Sequence, residues 1–170
     1  MTDVLIIGAG ISGMTAALIT SDGGLSVRLI DKAGVPHTLQ SIPHFNTLPI
    51  FYSFTPSSLV EAMTEEVSRH GIELTSDKVC RIEKRDDIFS VICDRGVYNS
   101  RFVIIAAGNH HDIICPYVTC TTEISEECRA PTAGLMLCGN ARRPAGLLRC
   151  MSDGIVCGET AKEWIYSHNF

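Results

Sequence analysis

The 170-residue sequence predicts a single three-layer α/β domain built on a parallel sheet. Three observations predict it. A glycine-rich turn lies between a strand-like and a helix-like run within the first 14 residues. Apolar runs of strand length end on glycine at Gly8, Gly108 and Gly139. Midway along the chain, three short alternating runs are separated by turn residues.

Taken in order, residues 3–7 are a short β-branched and leucine-rich run closed by Gly8, the pattern of a strand buried on both faces. From Ile11 the apolar residues Ile11, Met14, Ala17 and Leu18 recur at helical spacing, and Ser21-Asp22-Gly23-Gly24 predicts the stop. Residues 25–30 form a second strand ending on Asp31. Residues 34–56 hold four of the seven prolines and no periodicity, a long irregular excursion of the kind that is usually functional. Thr55 with Pro56 opens a helix carrying Leu59, Met63 and Val67 on one stripe, and Gly71 closes it. Residues 72–74 are the next core strand. Runs at 78–84, 88–93 and 97–100 predict an antiparallel meander, and 102–107 and 135–138 predict two further strands. A last helix over about 147–166 is expected to carry Leu147, Leu148, Met151, Ile155 and Trp164.

Hydrophobic residues make up 45% and charged residues 19%, the balance of a soluble globular protein. A chain of this length buries roughly 70% of its unfolded surface and is too short for two full domains. The net charge of −5, without clustered Lys and Arg, excludes a nucleic-acid footprint. No apolar run approaches the roughly 20 residues of a membrane span. The N-terminus enters a strand without a leader pattern, so a cytoplasmic protein is expected. Eight cysteines occur with no Cys-x-x-Cys, and most are expected to be reduced, buried and small.

The chemistry concentrates in Gly8-Ala9-Gly10-Ile11-Ser12-Gly13, a G-x-G-x-x-G between strand and helix. Gly8 permits the tight turn, Gly10 the close approach of a pyrophosphate, and Gly13 the packing of helix on strand. The helix N-terminus offers unpaired N–H groups to phosphate. Asp31, 18 residues beyond Gly13, stands where a carboxylate accepts hydrogen bonds from ribose hydroxyls, with Lys32 beside it. The motif predicts a dinucleotide and does not separate NAD from FAD.

Several segments together resemble the FAD-binding domain of the thioredoxin reductase-like pyridine nucleotide:disulfide oxidoreductases. They are DVLIIGAGISGMTAAL, SVRLIDKAG, IPHFNTLP, SSLVEAMTEEVSRHGIEL, FVIIAAGNH, PTAGLMLCGNARR and SDGIVCGETA, nearly the whole chain. The resemblance implies a three-layer FAD/NAD(P)-binding Rossmann-like fold with an antiparallel β-meander crossover, and FAD as cofactor. It implies that Val79 contacts adenine through its backbone and that the strand ending in Ala106, Ala107 and Gly108 passes near the FAD. It further implies that Gly139 and Asn140 meet the ribityl chain, Asn140 replacing the family's usual Asp. Leu148 and Arg149 correspond to the part beside the flavin ring. The family inserts an NAD(P)H-binding domain after the strand ending at Gly108, whereas here about 26 residues separate Gly108 from Leu135. Residues 1–170 are therefore expected to form one FAD-binding domain, the NAD(P)H-binding domain being absent between about 109 and 132. The family's redox Cys pair is missing too, and the nearest candidate is Cys115 with Cys120.

This predicts a flavoprotein oxidoreductase that takes electrons from a separate donor protein or free NAD(P)H and passes them to an acceptor, with a homodimer implied by resemblance alone. Two alternatives stand beside it: a non-catalytic FAD- or nucleotide-binding subunit of a redox complex, and a site that holds NAD(H). Cys115, Cys120 and Cys128 with His110 and His111 match no standard zinc spacing, so no metal is expected. His37 and His44 in the irregular loop, and Arg142 and Arg143 after Asn140, are weaker candidates for tuning the flavin or holding its anionic groups.

Overall fold

The computed structural model describes residues 1–34, 55–108, 113, 115–116, 132–141 and 146–168. Strand β1 (Thr2–Ile7) leads through the glycine turn into helix α1 (Ile11–Asp22), which returns to β2 (Val27–Asp31). Helix α2 (Pro56–Arg69) precedes β3 (Glu73–Ser76), β4 (Val79–Arg85), β5 (Ile88–Cys93) and β6 (Val97–Ile105). Strand β7 (Leu135–Leu137), a 3-10 turn at Gly139–Ala141 and helix α3 (Leu147–Ser167) follow.

The parallel strands β3, β2, β1, β6 and β7 lie side by side in that order. On one face, Val4, Ile6, Leu29, Phe102, Ile104 and Met136 pack against the helices. On the other, Leu5, Ile7, Ile30, Val103, Ile105 and Leu137 meet Ile82, Phe89 and Val91 of the β4–β5 hairpin. Period-2 alternation sends successive residues of β1 into opposite cores, so both faces must be covered. The predicted three layers are thus present, with helices on one side and the antiparallel strands on the other.

Two expectations are corrected. Runs 97–100 and 102–107, read as separate strands, form one continuous strand, β6. Its first part pairs antiparallel with β5, and its second part pairs parallel with β1 and β7. Ser100, fully buried, sits where the partners change, paired with Phe89 on one side and Thr2 on the other. Its hydroxyl donates to the carbonyls of Phe102 at 2.8 Å and Asp3 at 3.1 Å. A buried polar residue at that point mimicked a strand break, whereas it stitches the fork together.

The second concerns α3. Of the large apolar residues expected along it, Leu148 and Ile155 are 52% and 46% exposed. The buried stripe is instead small: Cys150, Asp153, Gly154, Cys157, Gly158 and Ala161, ending on Ile165. A side chain at Gly154 would come within 2.6 Å of the Ser12 carbonyl oxygen, and one at Gly158 within 2.7 Å of Ile19. Close backbone approach to α1, not large-side-chain burial, docks this helix. The α2 stripe is as expected, with Leu59 and Val67 buried and Met63 partly so. Its start is a capping box in which Thr55 and Ser58 exchange bonds.

Replacing Gly154 by Val should cost about 1–3 kcal/mol, as overpacking of a tight contact does. Urea unfolding measures it, and an unchanged midpoint would show that α3 does not depend on this approach.

Candidate functional site

Strand β1 ends where the sheet's connections diverge, towards β2 and β3 on one side and β6 on the other, and ligands of open α/β sheets bind at such a point beyond the strand C-termini. Gly8 occupies it with φ +103°, a left-handed conformation that favours glycine. A Cβ there would come within 2.5 Å of the Ala106 carbonyl oxygen, and one at Gly13 would overlap the Gly8 carbonyl and press on the Ala106 methyl. These two glycines are therefore required by the protein's own packing. Gly10 is different: a Cβ there meets nothing within 4 Å among the described residues. Gly10 also caps α1 without any side-chain hydrogen bond, so the first helical amides, from Ile11 onward, are presented beside open space. Ala9 and Ser12 are buried behind them.

The Asp31 carboxylate spans the loop: one oxygen accepts from the Ala9 amide and the other from the Ala33 amide, each at 2.9 Å. The Gly8 amide donates to the Ile30 carbonyl at 2.7 Å. Asp31, expected to face ribose hydroxyls, ties the glycine turn to the end of β2. Each carboxylate oxygen has a second acceptor position.

Beside the turn opens a solvent-open cleft of about 70 Å³. Its apolar walls are Ile7, Ile30, Val79, Ala107 and Ile113, and Gly8, Asp31, Lys32, Asp77 and Lys78 complete it. Asp77, Lys78 and Ile113 were not foreseen. Asp77 is buried at 4% exposure, its Oδ1 accepting from the Lys78 and Arg95 amides at 2.8 and 3.3 Å and its Oδ2 from the Tyr98 hydroxyl at 3.4 Å. Its amide donates to the Asp31 carbonyl at 3.0 Å, which couples the cleft's two edges. An acid directly after a strand end, followed by a new strand, was the available signal.

A second group of expected residues gathers at the helix side of the turn. Gly139, with φ +58°, lies so close that a Cβ would come within 2.5 Å of Ser12 Oγ. Asn140 follows it and meets Cys150 of α3. Gly108 also takes a positive φ, +64°, at the exit of β6. Leu148 and Arg149 lie in the first turn of α3 and do not line the cleft, Arg149 pairing with the buried Asp153 at 3.3 Å. His37, His44, His110, His111, Cys120, Cys128, Arg142 and Arg143 lie outside the described residues.

A family model described as an FAD binding domain matches residues 3–41, the stretch that contains the glycine turn and Asp31. Thioredoxin reductase of Listeria monocytogenes is 32% identical over 110 residues, covering 64% of this chain and 34% of that protein. Ferredoxin–NADP reductase of Streptococcus mutans is 29% identical over 114 residues, covering 63% and 34%. The solved thioredoxin reductase of Lactococcus lactis superposes with TM-score 0.87 at 12% identity, over 98% of this chain and 100% of that one. The likeness to thioredoxin reductase-like FAD-binding domains is borne out. FAD is the cofactor that these matches indicate. The chain spans about a third of the length of the curated relatives it matches. No helix among the described residues is long and apolar enough to cross a membrane.

The described cysteines are all free thiols. Burial, with the nearby Asp77, Cys80 and Asp94, pushes Cys93 up to about 12. Cys80 is raised as well, first by its hydrogen bond to Asp94, to which it donates at 3.1 Å. A raised thiol stays protonated and unreactive near neutral pH. The Cys93 shift penalises the native state only once the unfolded chain ionises, so stability should fall as pH rises from about 9 towards 12 and be unaffected below. Asp94→Asn should speed alkylation of Cys80 by iodoacetamide at pH 8 several-fold, read by peptide mass spectrometry, and an unchanged rate would discount the carboxylate.

The glycines make opposite predictions. Gly10→Leu should leave unfolding within about 0.5 kcal/mol of the parent, as a substitution into open space does. Gly13→Ala should destabilise by about 1–3 kcal/mol through overlap with Gly8. Equal effects in chemical denaturation would contradict the geometry.

Proposed function

We propose that this chain binds FAD across the glycine turn and works as a flavoprotein oxidoreductase whose electrons come from outside the chain, from a donor protein or from free NAD(P)H. The observation that carries the reading is the contrast among the three glycines. Gly8 and Gly13 are closed by the fold, while Gly10 alone opens onto the uncapped helix N-terminus. That is the arrangement a pyrophosphate needs, with N–H donors and a positive helix end beside a backbone without a Cβ.

Within this reading the residues fall into three tasks. The α1 amides hold the pyrophosphate. Asp31, with its remaining acceptor capacity, takes ribose hydroxyls, and the Val79, Ile30 and Ala107 walls take the adenine. Gly139 and Asn140 lie on the opposite side of α1's first turn, where the extended cofactor would continue towards Leu148 and Arg149. Bound flavin supplies the one- and two-electron chemistry, and the chain supplies binding, orientation and the electrostatics around it. The short connection between Gly108 and Leu135 supports an external electron source, because it leaves no length for a second nucleotide domain there. A cytoplasmic setting and a homodimer belong to the same proposal.

The test is direct. FAD added to the apoprotein should give saturable quenching of flavin fluorescence, and Gly10→Leu should abolish it. Saturable NADH binding without any FAD binding would overturn the cofactor. NADH and NADPH added anaerobically should bleach the bound flavin slowly or not at all without a partner; complete bleaching within a few turnovers per second would show an autonomous reductase.

A further inference from the structure

On the side of the turn away from the adenine cleft, the proposed function uses Gly139 and Asn140 but gives no task to Cys150, which touches them both. Asn140 is the half-exposed polar residue of the 3-10 turn Gly139–Ala141, and Gly139 presses that turn against Ser12 at the start of α1. Unlike a carboxylate, an asparagine side chain presents different chemistry at its two ends, an acceptor oxygen and a donor NH2. What a ligand meets there depends on which way the amide is turned.

Cys150 contacts residue 140 twice. Its thiol donates to Asn140 Oδ1 at 3.7 Å. The Asn140 backbone N–H in turn bonds the sulfur, which draws the thiol down against the stronger upward push of burial. Cys150 is itself fixed. It is 7% exposed in the first turns of α3, it packs with Ile11 of α1 and Leu59 and Val60 of α2, and its sulfur lies 3.4 Å from where a Gly139 Cβ would stand. The anchor is thus set in the small core where the N-terminal ends of the three described helices meet.

We propose that Cys150 is a positioning residue of the dinucleotide site: it clamps Asn140 by backbone and side chain and presets the amide that the flavin end of the cofactor meets. This rests on the FAD reading for the identity of the ligand, but the clamp itself is a property of the protein alone. A prearranged amide spares the complex the cost of ordering it on binding. The thiol acts here as a neutral hydrogen-bonding group, and its burial keeps it so.

The experiment combines two readouts on the full chain. In the apoprotein, the Asn140 backbone amide should exchange with solvent about tenfold faster in Cys150→Val than in the parent, and Cys150→Ser should stay near the parent. In FAD titrations followed by fluorescence, Cys150→Val should weaken binding about three- to tenfold, the range expected from one hydrogen bond. The same change made in an Asn140→Ala background should weaken it no further, since a residue acting through another loses its effect when that partner is removed. A merely structural role would instead give the same loss in both backgrounds. If valine prevents folding, Cys150→Ala makes the same deletion. Parent-like amide exchange in the valine or alanine variant, or equal losses with and without Asn140, overturns the clamp. If the parent binds no FAD, the flavin reading falls and amide exchange still decides the clamp.

Discussion

Helix α1 leaves β1 at a separation that only glycine at position 13 permits, because a side chain there would overlap the Gly8 carbonyl. Much of the remaining structure answers to that approach. With α1 pressed on the strand ends, every residue from Ile11 to Ala17 is buried, and little of the helix is left to reach water. Its outer neighbour must then come equally close, which is why α3 presents Gly154 and Gly158 rather than leucines. The same geometry delivers the first α1 amides to the switch point of the sheet, where their unpaired N–H groups and the helix dipole act together. Packing and anion binding are thus consequences of one contact, and this explains why two of the three glycines are structural and one is not.

The second organising point is Ser100. By letting β6 pair with β5 before it and with β7 after it, the residue folds the antiparallel hairpin over the sheet face opposite the helices. That hairpin carries Val79 to the cleft, and Asp77 fastens its start to the Arg95 amide, Tyr98 and the Asp31 carbonyl. Arg28 stacks on the Tyr98 ring at 4.8 Å and pairs with Glu73. The Val79 side of the cleft therefore depends on long-range pairing, whereas the glycine-turn side, proposed to hold the phosphates, depends on a local turn.

This division explains what the sequence disclosed. The phosphate side was legible because each requirement is local: a strand of period 2, glycines at fixed offsets, a helix of period 3.6, and an acid closing the next strand. Asp31 was found by its place, although its bonds to the Ala9 and Ala33 amides were not foreseen, because they depend on the loop conformation. The fork at Ser100 was missed since a buried serine in a strand reads as a break unless its tertiary acceptors are known. The small buried face of α3 was not foreseen because periodicity weights large apolar residues, and at a close helix crossing the buried face is the small one. Asp77 gave only the signal of an acid between two strands, and Cys150 gave none; the Arg95 and Tyr98 partners of the one and the Asn140 partner of the other lie 10 to 21 residues away in sequence.

The thiols bear on where the redox chemistry resides. A cysteine that exchanges electrons as thiolate near neutral pH needs a depressed pKa, from a cation, a helix N-terminus or a neighbouring thiol in a tight pair. Here Cys80, Cys93 and Cys150 are all shifted the other way, by an acceptor carboxylate in the first case and chiefly by burial in the other two. Cys150 shows the point most sharply, because it sits in the first turns of a helix, where a thiolate is commonly stabilised, and burial still prevails. These three positions therefore suit neutral, hydrogen-bonding roles. On the proposed reading, the chain's own contribution is to hold and orient the dinucleotide, and electron transfer would pass to that cofactor.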